Sequence, residues 1–342
     1  MKKISVIIAC HNVTSYLDRC WNSLKNQTIG LDNIECIFVD DASTDNGATW
    51  QKLAQIEQEA PDSVMVIHLE QNMRQGGARN VALNYASGKY VQFVDADDEL
   101  VLEACELLYN IAETHQVDII QFNKCSILGD IRKSTGECNQ TGLYEINSVE
   151  ARKPLLLTNI LTCGCLNKFY KMSMVRESQA KYAEHVVYEE PLFVYPQFFY
   201  ANRIYLTEEM LYNYYLHEGS TMSSEIGKRI MEHPMVQFQV LEYCLERKDL
   251  YELYKNEIEI YFLWTFYCET LCFAGGLPDA VIPLEFYKEM QKICRQYFPD
   301  WRNNPYIATL DKNVVDTLAG IDEEIESQQQ LNIYMREVAT KL

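Results

Sequence analysis

The sequence predicts an α/β fold, a doubly wound, mainly parallel sheet followed by a C-terminal helical region. Three observations predict it. Short apolar, β-branched runs alternate with segments of helical spacing through the first hundred residues. Each run ends in polar or acidic residues, as strand tips at a ligand-binding sheet edge do. Beyond about residue 224 only helical spacing is left.

Ile4 to Ala9 reads as the first buried strand, broken by His11-Asn12. Thr14 to Gln27 has helical spacing through Tyr16, Leu17, Cys20, Trp21 and Leu24. Ile34 to Val39 is a second strand ending in Asp40-Asp41, and a helix follows over about 46–59. Val64 to Leu69 is a third strand. Gly76-Gly77-Ala78-Arg79-Asn80 opens a helix that Gly88 stops. Tyr90 to Val94 is the fourth strand and leads into Asp95-Ala96-Asp97-Asp98, with a helix expected directly after. The rhythm then changes. Val117 to Phe122 is a strand, 129–142 a loop or hairpin, 149–158 a helix, and 204–206 and 211–215 two short strands. The chain has no repeat of 20 to 50 residues.

A chain of 342 residues can build one large domain or two ordinary ones, and 48% hydrophobic content supports a sizeable core. The net charge of −19 disfavours nucleic acid and anionic membrane as partners, because no excess of Lys and Arg is available for phosphates. The 12 cysteines form no CxxC pair, which points to a reducing compartment and a cytoplasmic location. Cys163-Gly164-Cys165 reads as structural. Met1-Lys2-Lys3 leads straight into a strand too short for a signal sequence. Ile258 to Leu277 is the most apolar stretch, but Glu259 and Glu269 interrupt it. It reads as a buried helix, so the chain is not expected to be an integral membrane protein.

Parallel strands place their C-termini on one edge, so Asn12, Asp40-Asp41 and Asp95-Ala96-Asp97-Asp98 can converge. Hard carboxylate ligands there suit Mg²⁺ or Mn²⁺ carrying a phosphate-bearing substrate. The competing reading is helix capping by Asp97 with Asp98 and Glu99 in the first turn. Asp41 to Asp45 equally fits a turn plus N-cap. Arg79 fits a solvated charge, a partner for Asp40 or Asp41, or a phosphate contact. Glu189-Glu190 ahead of Pro191 fits a helix N-terminus.

Ile4 to Asn12, Phe38 to Asp45, Gly77 to Asn80 and Phe93 to Asp98 together resemble the ordered motifs of family 2 glycosyltransferases of the GT-A fold. The resemblance continues through Leu166 to Tyr170, Tyr188 to Phe193 and Leu211 to Ser220. It implies a catalytic domain over residues 1–222, with a nucleotide-sugar half (1–100) and an acceptor half (101–222), ahead of the helical region 223–342.

The resemblance also implies roles. Backbone near Ala9 and His11, with Asp41, holds the base, and an Asp suits uracil, favouring a UDP-sugar donor. Arg79 lies near the base or phosphates. Asp95 faces the ribose or donor sugar, and Asp97 ligates a divalent cation, Mn²⁺ or Mg²⁺, with Asp98 beside it. Asn12, Asp40 and Ala96 belong to the same donor edge. Glu190, or Glu189 beside it, is the general base on the acceptor hydroxyl of a saccharide or lipid-linked acceptor, with inversion at the anomeric carbon. His217 lies in a segment that often closes over the diphosphate. The chain departs from the family where His11 replaces a usual Tyr, Ala42 a usual Gly and Glu190 a usual Asp.

Two other function classes are weighed. A nucleotidyltransferase would carry a Gly-rich basic loop after the first strand, where this chain has Cys10-His11-Asn12-Val13-Thr14. A non-catalytic sugar-nucleotide-binding protein would bind UDP without turnover. Past 224, Tyr251, Tyr254, Ile258, Tyr261, Phe262, Trp264, Thr265 and Cys268 form an apolar band at helical spacing. Its default reading is core packing. A homodimer contact, or a peripheral dock for a membrane-bound acceptor at the inner membrane face, is the alternative.

Overall fold

A computed structural model describes residues 2–158, 160–217 and 225–342. The tail of the last motif (218–220), the expected domain border at 222 and the onset of the helical region at 224 lie outside the described residues. The chain separates into two compact units, Met1–Arg152 with Asn159–His217, and Lys153–Thr158 with Glu218–Leu342.

The first unit carries a ten-stranded mixed sheet. Strands β1 (Ile4–Cys10), β2 (Ile34–Asp40), β3 (Val64–His68) and β4 (Tyr90–Asp95) pair in parallel in the order β3-β2-β1-β4. Helices α1 (Leu17–Lys25), α2 (Ala48–Glu59) and α3 (Arg74–Tyr85) connect them. Ile4, Val6, Ile7 and Ile8 are fully buried, as expected for a parallel strand covered on both faces.

After β4 comes a short strand β5 (Glu99–Leu100) and only then helix α4 (Ala104–His115). The capping reading of Asp97 and Asp98 is thereby removed, because the helix starts well past them with Glu103 at its N-cap. Strand β6 (Ile119–Leu128) turns back into β7 (Ile131–Ser134), so the polar stretch after β6 begins as a hairpin. Then follow β8 (Gly142–Glu145), α5 (Val149–Leu156), β9 (Lys168–Lys171), α6 (Met172–Ser178) and α7 (Glu190–Tyr200). The two short strands expected at 204–215 are one bulged strand, β10 (Arg203–Tyr215), which pairs with β5, β6 and β8. β9 enters antiparallel between β4 and β6, which makes the sheet mixed rather than parallel throughout.

The described part of the second unit is helical: α8 (Glu232–Glu246), α9 (Lys248–Phe262), a π-helical run (Leu263–Glu269), α10 (Thr270–Gly276), α11 (Leu284–Tyr297), α12 (Lys312–Ala319) and α13 (Gln328–Lys341). Tyr254, Ile258, Phe262, Thr265 and Cys268 of the apolar band are buried, and Phe262 stacks on Phe266 at 4.5 Å. No described helix is long and apolar enough to cross a membrane. The cysteines are all free and mostly buried.

Candidate active site

Strand register builds the site. Ala9 lies beside Val39 on one flank and Asp95 on the other, and Cys10 lies beside Asp40. The tips of β1, β2 and β4 therefore end level.

At the β1 and β2 tips the loops are clipped together. Asn12, at φ 55°, accepts from the Thr44 N–H (2.7 Å) and donates to Thr44 Oγ1 (3.1 Å). His11 Nδ1–H donates to the Asp41 carbonyl (2.9 Å). Ala42 adopts φ 53°, which explains the Gly usual at that position: the left-handed region costs a residue with a Cβ about 1–2 kcal/mol. Asp41 is buried and accepts the Met73 N–H (2.7 Å) just ahead of α3. Burial raises its carboxyl above the usual range against that hydrogen bond. Asp40 faces inward and accepts from His68 Nδ1–H (2.9 Å) and the Ser43 N–H (3.1 Å). Its bonds hold the turn.

At the β4 tip, carboxylate oxygens of Asp95, Asp97 and Asp98 lie within 4.8 Å of one another. Their partners differ. Asp98 is 1% exposed, and both its oxygens are engaged, by the Tyr212 hydroxyl (2.7 Å) and the Tyr215 N–H (2.8 Å). Burial and the neighbouring Asp95 and Asp97 push its carboxyl up to about 8. Tyr212 also accepts the Asp95 N–H (3.0 Å), so one hydroxyl ties both ends of the turn. Ala96 is buried between them. Asp97 keeps 28% of its side chain exposed, and His217 Nε2–H donates to its Oδ2 (2.7 Å). His217 also stacks on Tyr16 at 4.9 Å.

Arg79 is neither a solvated charge nor a partner of Asp40 or Asp41. It is 2% exposed and forks between Asp95 Oδ1 (2.8 Å) and Glu189 Oε1 (2.7 Å). Both ends of its fork rest on carboxylates. Burial pushes Glu189 up to about 7, with Arg79 pulling against it. Gly76 makes this possible: a Cβ there would meet the Ala183 carbonyl at 2.2 Å and the Glu189 side chain at 2.9 Å.

Glu190 is the first residue of α7 and half-buried. Its Oε1 accepts the Cys165 N–H (2.7 Å). Its charge is felt by Asp95, and by Tyr214, whose hydroxyl is pushed up to about 12 by burial and then by Asp95, Asp98, Asp97 and Glu190. Asp95, Asp97, Asp98 and Glu190 thus share one electrostatic neighbourhood around Tyr214. The loop that presents the Cys165 N–H is held by Lys168. This fully buried ammonium donates to Thr162 Oγ1 (3.0 Å), the Gly164 carbonyl (2.6 Å) and Asn167 Oδ1 (3.2 Å).

Sequence reasoning gave no role to Tyr212, Lys168 or Tyr16. Tyr212 and Lys168 lie inside quoted motifs, and a Lys amid apolar residues was a readable signal. Tyr16 looked like one more apolar helix residue.

The sequence profile described as glycosyl transferase family 2 matches residues 5–178. The chain is 26% identical over 263 residues to the putative glycosyltransferase EpsH of Bacillus subtilis (strain 168), covering 75% of this chain and 73% of that one. It is 27% identical over 266 residues to the poly(ribitol-phosphate) beta-N-acetylglucosaminyltransferase TarS of Staphylococcus aureus (strain Mu50 / ATCC 700699), covering 77% of this chain but 44% of TarS. The crystal structure of S. aureus TarS 1-349 in complex with UDP-GlcNAc superposes with a TM-score of 0.71 at 22% identity, covering 99% of this chain and 90% of that one. This last likeness establishes the fold. With more than half of its residues matched in order by one family's profile, the chain belongs to glycosyl transferase family 2.

Proposed function

We propose that this chain is an inverting transferase that moves a sugar from a nucleoside-diphosphate donor, with a UDP-sugar favoured, to a hydroxyl of a saccharide or lipid-linked acceptor in cell-surface polysaccharide synthesis. The observation that carries the reading is the levelling of three strand tips, which gathers Asp41, Asp95 and Asp97 at one edge, with Asp95 in the field of Glu190. The N-acetylglucosaminyltransferase activity of TarS and its UDP-GlcNAc complex support the donor class.

The residues fit a divalent cation. The cluster offers hard oxygen ligands, and Asp97 is its most accessible member, with His217 beside it. Asp95 has one oxygen on Arg79, and Asp98 has none to spare. Asp97 would therefore hold Mn²⁺ or Mg²⁺, aided by the second oxygen of Asp95 and by His217. Bound there, the cation supplies charge neutralisation to the departing diphosphate.

The chain's own groups do the rest. Asp41 and the backbone near Ala9 and His11 seat the base. Glu190, steadied by the Cys165 N–H, takes the proton from the acceptor hydroxyl as that oxygen attacks the anomeric carbon opposite the leaving group. A single displacement inverts the centre. Glu189 supports this from the ion pair with Arg79 and is not itself the base. The reaction would run on the cytoplasmic side, where the reducing chemistry of free cysteines fits.

Glu190→Gln should lower transfer by about 10²–10⁴-fold with donor binding retained, because only the proton acceptor is lost. Asp97→Ala should weaken UDP binding in Mn²⁺. Transfer assays with calorimetry of UDP binding test both. Full activity of Glu190→Gln would move the base elsewhere, and full activity of Asp97→Ala would remove the cation assignment.

A further inference from the structure

A cavity of about 900 Å³ opens in the first unit between α1, β5, β10 and the β6–β7 hairpin. It shares no lining residue with the donor edge or with Glu190. Its composition is unlike the rest of the chain. The molecule carries a net charge of −19, yet this cavity is lined by three cations, Arg19, Arg132 and Lys133, and one acid, Glu99. Glu99 is already engaged by the Tyr215 hydroxyl (2.6 Å). Among the described residues, neither Arg132 nor Lys133 makes an ion pair.

Two of the cations lie around Tyr215: the Arg19 guanidinium sits 3.6 Å over its ring, and Arg132 is near enough for its charge to be felt at the hydroxyl. Arg19 donates one N–H to the Asp97 carbonyl, while its Nε–H is buried and without a hydrogen-bond partner. A buried donor left unmade is costly, and the charge of this guanidinium stands at the cavity wall, where an anion is the favoured neighbour. The lining also carries the amides of Asn22, Asn26 and Asn213, which suit hydroxyl groups. Strand β7 is exposed throughout and pairs only with β6 among the described residues, so its outer edge offers further backbone donors and acceptors.

We propose that this cavity is a second ligand site, built for a phosphate-bearing polyol or saccharide segment. The Arg and Lys side chains take phosphoryl oxygens, Arg in the bidentate manner its fork allows, and the amides take the hydroxyls. The volume exceeds what one phosphate fills, so a segment fits better than a lone anion. That such a segment is part of the acceptor rests on the transferase reading. The binding itself does not.

The probe is a short glycerol-phosphate oligomer, titrated into the full chain by calorimetry, with inorganic phosphate and a neutral oligosaccharide as parallel arms. The oligomer is expected to bind saturably and to weaken at least about tenfold in Arg132→Ala/Lys133→Ala, since two charged contacts are removed from an exposed strand. UDP with Mn²⁺ should not displace it, and Asp97→Ala should leave it unchanged. No saturable binding, undiminished binding in the double variant, or displacement by UDP overturns the proposal. Inorganic phosphate binding as tightly as the oligomer also overturns it, because the polyol part would then go unread. A parallel UDP titration keeps the two readings apart: loss of UDP binding in wild type would sink the transferase site and leave this cavity's test intact.

Discussion

A charged side chain with no exposed surface has to be explained by what it holds, and Lys168 holds a loop. Its three bonds fix the turn whose Cys165 N–H steadies Glu190. Burial lowers the Lys168 ammonium from its usual range to about 8. The folded chain therefore gives up this proton before the unfolded chain does. Between about pH 8 and 10.5 the unfolded state binds more protons, so stability from this group rises with pH. Relative to Lys168→Met, the wild type should gain about 1.4 kcal/mol per pH unit across that window. Urea unfolding of both proteins over the window measures it. A difference that stays constant with pH would mean the ammonium is not desolvated in the fold. Arg79 makes the complementary case, since its burial is offset by two carboxylates at hydrogen-bond distance.

At the scale of elements, the acidic turn after β4 is held by β10 rather than by a helix. The β5–β10 pairing places the Tyr212 hydroxyl against both the Asp95 N–H and Asp98 Oδ2. Tyr212→Phe removes that hydroxyl and leaves two buried groups short of a partner. It should cost about 1–3 kcal/mol of stability and weaken nucleotide binding, because Asp97 lies within the turn. Urea unfolding with UDP calorimetry checks both, and unaltered UDP affinity would show that the turn keeps its shape without β10. In the helical unit one close approach is at Gly275, where a Cβ would meet the Met335 carbonyl at 2.0 Å. Gly275→Ala should push α10 from α13 and cost about 1–3 kcal/mol by overpacking, read from the urea midpoint. An unchanged midpoint would mean the helix pair adjusts freely.

For the whole molecule, charge is the dominant feature. An excess of 19 acidic groups repels itself in the folded state, and salt screens it. The Debye length falls from about 30 Å at 0.01 M to about 8 Å at 0.15 M ionic strength. Over that range the melting temperature should rise, and a flat or falling profile in differential scanning fluorimetry would show that local pairs already balance the charge. The same excess explains why a cavity with three cations stands out.

Much of the catalytic half was legible because its signals are local. Buried parallel strands need continuous apolar runs, helices need periodicity, and polar residues must follow where a strand stops, so the strand tips and their acids could be read directly. Partners could not be. Asp40, Asp41, Asp95 and Asp98 look alike in sequence, but a turn bond, a backbone amide, an Arg fork and a Tyr hydroxyl give each a different task. The helix expected directly after Asp98 starts only at Ala104, because β10, more than a hundred residues later, offers β5 a strand to pair with. The sequence by itself determined the order of elements and which residues stand at the sheet's edge. Only the tertiary structure decided which carboxylates are left for a ligand, because that depends on donors brought from distant segments, and hydrogen bonds across such distances follow from packing rather than from spacing.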